Sequence, residues 1–201
     1  MKPKLLDRLR TRLGRHAPLK LAVVATLIGL FVGVAGMLGS TAGLAWTNTE
    51  KFCTGCHEMA AGPAAEFKDT VHDKSRTGVR PDCADCHLPQ EFVPMMIRKI
   101  EASREVWGHW TGYIDTKEKY EKARYAMAAR EWKRMMANDS QECRNCHKVT
   151  AVDFEKQSEN AQARHKKAQA ERITCIECHF GIAHNEPDGP GPREIRAGAQ
   201  K

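Results

Sequence analysis

One uninterrupted apolar run dominates the hydropathy pattern: Leu21 to Trp46, 26 residues rich in Leu, Val, Ala and Gly and without a charge. At about 1.5 Å per residue it is long enough to cross a hydrocarbon core of about 30 Å, and it predicts a transmembrane helix over 21–46. A cleaved signal peptide is the rival reading, with Gly43-Leu44-Ala45 as a passable small-x-small triplet. Such a peptide uses an apolar stretch of only about 7–15 residues, so a retained single-pass anchor is favoured. Beyond Trp46 the pattern turns polar, and its periodicity is helical wherever it is regular. Asp115 with Glu118 reads as a capping box opening a helix that runs to about Met136, and a second helix is expected from Asp153 to about Ala170. In both, Lys and Arg alternate with Glu at helical spacing, the signature of a solvated face. Asn138-Asp139-Ser140 punctuates between them. From Asn185 onward, Pro187, Pro190, Gly191 and Pro192 predict a flexible tail over 185–201. No strand pattern is persuasive, so the chain reads as mainly α.

Charge changes the picture at the N-terminus. Of the net +7, residues 1–20 carry +6, through Lys2, Lys4, Arg8, Arg10, Arg12, Arg15 and Lys20 against Asp7, which leaves +1 for the remainder. The basic balance is therefore a topology signal and not a nucleic-acid footprint. It places 1–20 in the cytoplasm, 21–46 across the bacterial inner membrane, and the region after it in the periplasm. Aromatic residues make up only 6% of the chain, too few to fill an ordinary core.

The cysteines supply what the core lacks. All eight fall in four copies of one pattern: Cys53-Thr54-Gly55-Cys56-His57, Cys83-Ala84-Asp85-Cys86-His87, Cys143-Arg144-Asn145-Cys146-His147 and Cys175-Ile176-Glu177-Cys178-His179. Cys-x-x-Cys-His is the attachment signature of c-type haem. The two thiols add to the porphyrin vinyl groups, and the adjoining imidazole reaches the iron. Structural zinc does not need a histidine after every second cysteine, and a disulfide framework gives no reason for four identical spacings. Four covalent haem c groups are predicted, held by Cys53, Cys56, Cys83, Cys86, Cys143, Cys146, Cys175 and Cys178. The fold expected is one N-terminal transmembrane helix plus a small haem-organised domain over 47–184, whose apoprotein is largely unfolded.

That domain reads as a duplicated di-haem unit, with halves at about 47–110 and 138–184. Cys53 and Cys83 lie 30 residues apart, Cys143 and Cys175 lie 32 apart, and His72 and His165 precede the second motif of each half by eleven and ten residues. His184 follows the last motif. The matching place after the second motif is Leu88-Pro89-Gln90, so the repeat is broken at one ligand position. Beside the motif ligands His57, His87, His147 and His179, the candidates for sixth iron ligand are His72, His165 and His184. His109 is a further possibility, and an ordinary surface role is the alternative for each. His184 lies too near His179 to close on the same haem and is expected to reach a neighbouring one. Met59, two residues after His57, competes with it for the first iron or merely packs on the porphyrin.

With these residues assembled, the chain resembles the NapC/NirT family of membrane-anchored tetrahaem c-type cytochromes from the anchor to His184. Telling stretches are Cys53-Thr54-Gly55-Cys56-His57-Glu58-Met59, Ser75-Arg76-Thr77-Gly78-Val79-Arg80, Cys86-His87-Leu88-Pro89, Asn138-Asp139-Ser140-Gln141-Glu142-Cys143 and Cys178-His179-Phe180-Gly181-Ile182-Ala183-His184. The resemblance implies quinol oxidation at the outer face of the membrane. Electrons then pass to a periplasmic reductase, most commonly a nitrate reductase system, with nitrite, trimethylamine N-oxide or dimethyl sulfoxide reductases as alternatives. It also implies a quinol site formed by a lysine and an acid after the second motif, which by spacing are Lys99 and Glu105. Many nitrate-linked members carry histidine where this chain has Gln90, so a first haem with unusual ligation is expected. A homodimer is compatible with the resemblance. Two other functions compete: a small multihaem reductase acting directly on an oxyanion, and a scaffold that only docks a reductase at the membrane.

Overall fold

The computed structural model describes residues 17–151 and 153–199, and among them it contains helices and turns but no strand. Residues 1–16, with most of the basic cluster and His16, lie outside the described residues. The chain divides into two compact units, 1–47 and 48–201.

Among the described residues the first unit contains one helix, α1, Ala17–Trp46. Its apolar side chains are exposed on every side, Leu27, Phe31, Val32 and Leu38 among them, so no stripe is reserved for a protein core. A helix apolar all round is built for a hydrocarbon surrounding. Its few hydroxyls are satisfied internally. Thr26 Oγ1 donates to the Ala22 carbonyl at 2.9 Å and Thr41 Oγ1 to the Met37 carbonyl at 2.8 Å, as a bilayer requires of polar groups. The helix begins four residues before the uncharged run and takes in Lys20.

In the second unit the short helices are α2 (Glu50–Cys53), α3 (His57–Ala61), α4 (Pro63–Phe67) and α5 (Cys83–His87). Two long helices follow, α6 (Phe92–Trp110) and α7 (Lys117–Ala137), and then α8 (Gln141–Cys146), α9 (Glu159–Ala170) and α10 (Pro192–Ala199). The α6–α7 turn is fixed by Gly112, at φ +76, and by the Gly108 carbonyl, which accepts from Tyr113 N and Ile114 N. Ile114 packs onto Gly108, where an added Cβ would lie 3.2 Å from its Cγ1. The N-cap of α7 is Thr116, one residue later than the sequence pattern suggested. Its hydroxyl accepts from Lys119 N, while Asp115 is drawn to the Lys119 ammonium at 2.7 Å. The second expected helix likewise starts late. A 3-10 turn occupies Phe154–Lys156, and α9 opens after Ser158, whose side chain accepts from Ala161 N.

The core is small. Among the described residues the buried apolar side chains are Ile114, Tyr120, Ala123, Trp132, Met135 and Ile176. Trp132, Met135 and Ile176 form its centre, with Phe180 and Ile195 packed against it, and the Trp132 and Phe180 rings meet edge-on at 5.4 Å. Helix α7 is therefore the spine on which the fourth cysteine motif and α10 rest.

The C-terminal segment is not the flexible tail that its prolines and glycines suggested. Pro192 is fully buried at the start of α10, Arg196 pairs with buried Glu177 at 2.9 Å, and Tyr125 Oη donates to the Pro190 carbonyl at 3.1 Å. Gly189 makes this docking possible. At φ +140 it passes so close to Tyr125 that a Cβ would lie 2.5 Å from the ring. Here the turn residues serve a packed return of the chain.

Candidate haem sites

Motifs two, three and four are each folded into about one turn of helix, which is what their spacing needs, while motif one bridges two short helices. Residues i, i+3 and i+4 of a helix share one face, so the two cysteines and the histidine project together. Motif two is α5 itself, capped reciprocally by Asp82 and Asp85. Motif four turns through a 3-10 helix at Cys175–Glu177, capped by Thr174 and Glu177. Motif three occupies the end of α8, with His147 as its C-cap. Motif one joins the end of α2 to the start of α3, where Cys56 is the N-cap and His57 the first helical residue. The turn before motif three is held in the left-handed region at Asp139 (φ 57) and Ser140 (φ 52). Ser140 is wholly buried and its Oγ accepts from Ile176 N at 3.1 Å, which ties motif three to motif four.

The motifs neighbour one another in chain order. The Cys53 and Cys83 side chains lie beside one another, and their interaction lowers the Cys53 pKa to about 7 while raising that of Cys83. Cys143 and Cys175 repeat the arrangement, with Cys175 lowered to about 6. Between these pairs, burial first and then the charges of Asp85 and Cys146 push the Cys86 thiol up to about 11. Motif one thus meets motif two, two approaches three, and three meets four.

The histidines come together in four pairs. Ring centroids lie 5.7 Å apart for His57 and His109, 6.1 Å for His72 and His147, 6.1 Å for His87 and His184, and 6.2 Å for His165 and His179. Two imidazoles bound to one metal from opposite sides, through bonds of about 2.0 Å each, hold their centroids about 6 Å apart. Each pair thus contains one motif histidine and one other, at a separation that fits a single iron between them. The chemical state fits as well. Burial, followed by the neighbouring His87, pushes the pKa of His184 down to about 4, and its buried Nδ1 has no hydrogen-bond partner. Burial also lowers His72 and His179. Neutral imidazole is the form that ligates a metal.

The pairing crosses the halves. His165 faces the motif of its own half, but His72 faces motif three and His184 faces motif two. The equivalent sequence positions of His72 and His165 therefore do not have equivalent partners, and the two halves interlock. His184 does reach a site other than that of the adjacent His179.

Several of these rings have an orienting partner that the sequence reading missed. His109 Nδ1 lies 2.7 Å from Glu58 Oε1, His87 Nδ1 lies 3.0 Å from Glu131 Oε1, and His165 Nδ1 lies 2.8 Å from Gln157 Oε1. Glu58 is buried, and its other oxygen, 3.7 Å from His57 Nδ1, has no hydrogen-bond partner. Such outer partners fix the tautomer of a metal-bound histidine.

Lys99 and Glu105 both lie on α6 but face differently. Lys99 sits near Cys53 of motif one. Burial lowers its pKa, against the opposing effect of Cys53. Glu105 Oε1 accepts from Arg130 of α7 at 3.3 Å, and its buried Oε2 has no partner. Six residues along one helix place them about 9 Å apart along its axis. Met59 is half-buried on α3, and Gln90 is exposed between α5 and α6.

The family model described as NapC/NirT cytochrome c family, N-terminal region, matches residues 16–189. Among similar curated proteins, the cytochrome c-type protein NapC of Escherichia coli strain K12 is 46% identical over 184 residues, 91% of this chain and 90% of that protein. The denitrification system component NirT of Stutzerimonas stutzeri is 46% identical over 163 residues, 81% of each chain. A putative tetraheme cytochrome-c type protein of Allochromatium vinosum is 46% identical over 148 residues, 74% of this chain and 80% of that one. No solved structure matches.

Proposed function

The chain belongs to the NapC/NirT cytochrome c family, and from that premise we propose that it oxidises membrane quinol and relays the electrons through four covalent haems to a periplasmic reductase, of the nitrate reductase type. As a member of this family it is a membrane-anchored electron-transfer protein carrying haem c. In this reading the eight motif cysteines carry the porphyrins, and the four histidine pairs supply the axial ligands. The haem irons accept and release one electron at a time. The observation that carries the reading is the contiguity of the motifs from one to four together with a histidine pair at each. A series of neighbouring one-electron sites suits a relay, whereas a reductase acting on its own substrate needs an iron with an open coordination position, and each motif histidine here faces a second histidine.

Quinol delivers two electrons and two protons, so its site needs a proton acceptor close to an electron acceptor. Lys99, beside Cys53, is placed to donate a hydrogen bond to a quinol oxygen. Glu105 is the candidate proton acceptor, with Oε1 engaged by Arg130 and Oε2 uncommitted. The span at 21–46 keeps motif one within seven residues of the membrane, where a lipid-soluble donor is available. The basic N-terminus is assigned to the cytoplasm and the second unit to the periplasm.

The test is stopped-flow reduction of the detergent-solubilised holoprotein by a quinol analogue, followed in the haem bands. Fast reduction, blocked by a quinone-site inhibitor and slowed in Glu105→Gln with haem content intact, is expected. Normal reduction by dithionite with none by quinol would remove the quinol site. The alternative is a periplasmic reductase for another acceptor, since the chain is also similar to the cytochrome c-type protein TorY of Escherichia coli O157:H7, 39% identical over 84% of this chain and 46% of that protein. Reconstitution with each purified reductase separates the acceptors.

A further inference from the structure

The linker between the two halves contains no cysteine motif, yet α7 places a carboxylate against a motif histidine. Glu131 Oε1 lies 3.0 Å from His87 Nδ1. The same carboxylate accepts from Arg98 Nη2 of α6 at 3.2 Å and from Arg134 Nη2 at 2.7 Å. Arg134 continues to Glu142 at 2.5 Å, and Asn138 Nδ2 completes the Glu142 carboxylate at 2.9 Å. Glu142 is itself buried and directly precedes Cys143 of motif three. One partly buried ionic chain thus runs from the histidine of motif two, through both long helices, to the flank of motif three.

We propose that Glu131 is a positioning residue for the haem ligated by His87 and His184, fixing the His87 ring by accepting its Nδ1–H and lowering the reduction potential of that iron. The inference rests on the axial-ligand reading given above. A carboxylate on Nδ1–H makes the imidazole a stronger donor through Nε2, which favours ferric over ferrous iron. Charge balance adds to this. Two arginines and two glutamates make the chain neutral, and removing the charge of Glu131 leaves it one positive charge in excess beside the iron. Both effects raise the potential when Glu131 is neutralised. The group is suited to the role by its geometry, because Arg98 and Arg134 both donate to the same carboxylate that faces His87. The fourth site has a neutral counterpart in Gln157 against His165, so the molecule contains its own comparison.

The experiment is a potentiometric titration of the full-length holoprotein, with each haem followed by electron paramagnetic resonance, for wild type, Glu131→Gln, Gln157→Glu and His184→Met. In Glu131→Gln one haem shifts to higher potential and changes its low-spin signal while the other three stay put. It is the same haem whose signal is altered by His184→Met. Gln157→Glu shifts a different haem in the opposite direction. Four unchanged potentials in Glu131→Gln, with His184→Met altering one haem, overturn the role of Glu131 alone and leave it a partner of the arginines. No altered haem in His184→Met overturns the ligand reading and the inference with it. Should Glu131→Gln attach fewer than four haems, Glu131→Gln combined with Arg98→Gln keeps the ionic chain neutral, and a smaller shift in the same upward direction, from the weakened Nδ1–H bond alone, is required of it.

Discussion

Single residues in this chain carry contacts between segments far apart in sequence, and Glu66 shows the cost of such a role. Its carboxylate on α4 receives both terminal nitrogens of Arg124 from α7, at 2.6 and 2.5 Å, and the backbone N–H of Asn185 at 3.0 Å. Arg124 Nη2 also donates to the Asn185 carbonyl at 2.8 Å. Both side chains are largely buried, at 13% and 12% exposure. Burial taken alone would raise the Glu66 pKa, and the Arg124 and Asn185 hydrogen bonds outweigh it, so the group lies below its ordinary value of 4.5. The sign follows from linkage. A carboxyl lowered in the folded state contributes stability that is fully present above the unfolded value and is lost as pH falls toward the folded one. Acid unfolding of the holoprotein between the two values should therefore weaken in Glu66→Gln, seen as a flatter dependence of unfolding free energy on pH. An identical acid limb would remove Glu66 from the account. Glu66→Ala leaves a buried guanidinium without its main partner and should cost on the order of 3 kcal/mol.

At the scale of elements, the sequence reveals what depends on neighbours along the chain and hides what depends on neighbours across it. The anchor is legible because 26 consecutive residues without charge permit little else. The four motifs are legible because thiol addition and ligation need fixed local spacing. Helix α7 is legible in outline, but its cap is decided by a contest between Asp115 and Thr116 that lies below the resolution of a pattern. Thr116 wins the cap because Asp115 has Lys119 to pair with. Thr116→Ala should therefore lower stability by about 1 kcal/mol, measured by denaturant unfolding, while Asp115→Ala costs less. Equal losses in the two variants would contradict this assignment. Glu131 was not legible. With Arg134 three residues on, it has the spacing of a solvated helix-surface pair, and only the packing of α6 and α5 shows that it faces His87. Helix α10 was hidden for the opposite reason. Its prolines and glycines are genuine turn signals, and nothing local reveals that Gly189 lies on Tyr125 or that Pro192 is buried. The histidine pairs were not legible, because His72 and His184 face motifs in the opposite halves.

On the scale of the whole molecule, the interlocked histidines and the small core are one fact seen twice. Six buried apolar residues among those described are a thin core for the unit that begins at Asn48, and most of them line α7. The segments 48–90 and 141–184 contribute little to that core beyond Ile176. They are connected instead through the facing pairs of His72 with His147 and His87 with His184. Ligand binding that assembles a site from distant segments is folding free energy, so loss of a single haem should propagate. Motif two is the sharpest place to test this, because it touches motif one through Cys83, approaches motif three through Cys86 and faces His184 near the end of the domain. Cys83→Ser with Cys86→Ser should leave α1 helical but reduce the helical circular dichroism of the second unit. It should also open 48–90 and 180–199 to protease, including segments that contain neither substituted residue. Protection lost only around 80–90, with helicity otherwise intact, would mean that α7 and the small apolar core around it suffice to hold the fold, and that the haems are guests in it.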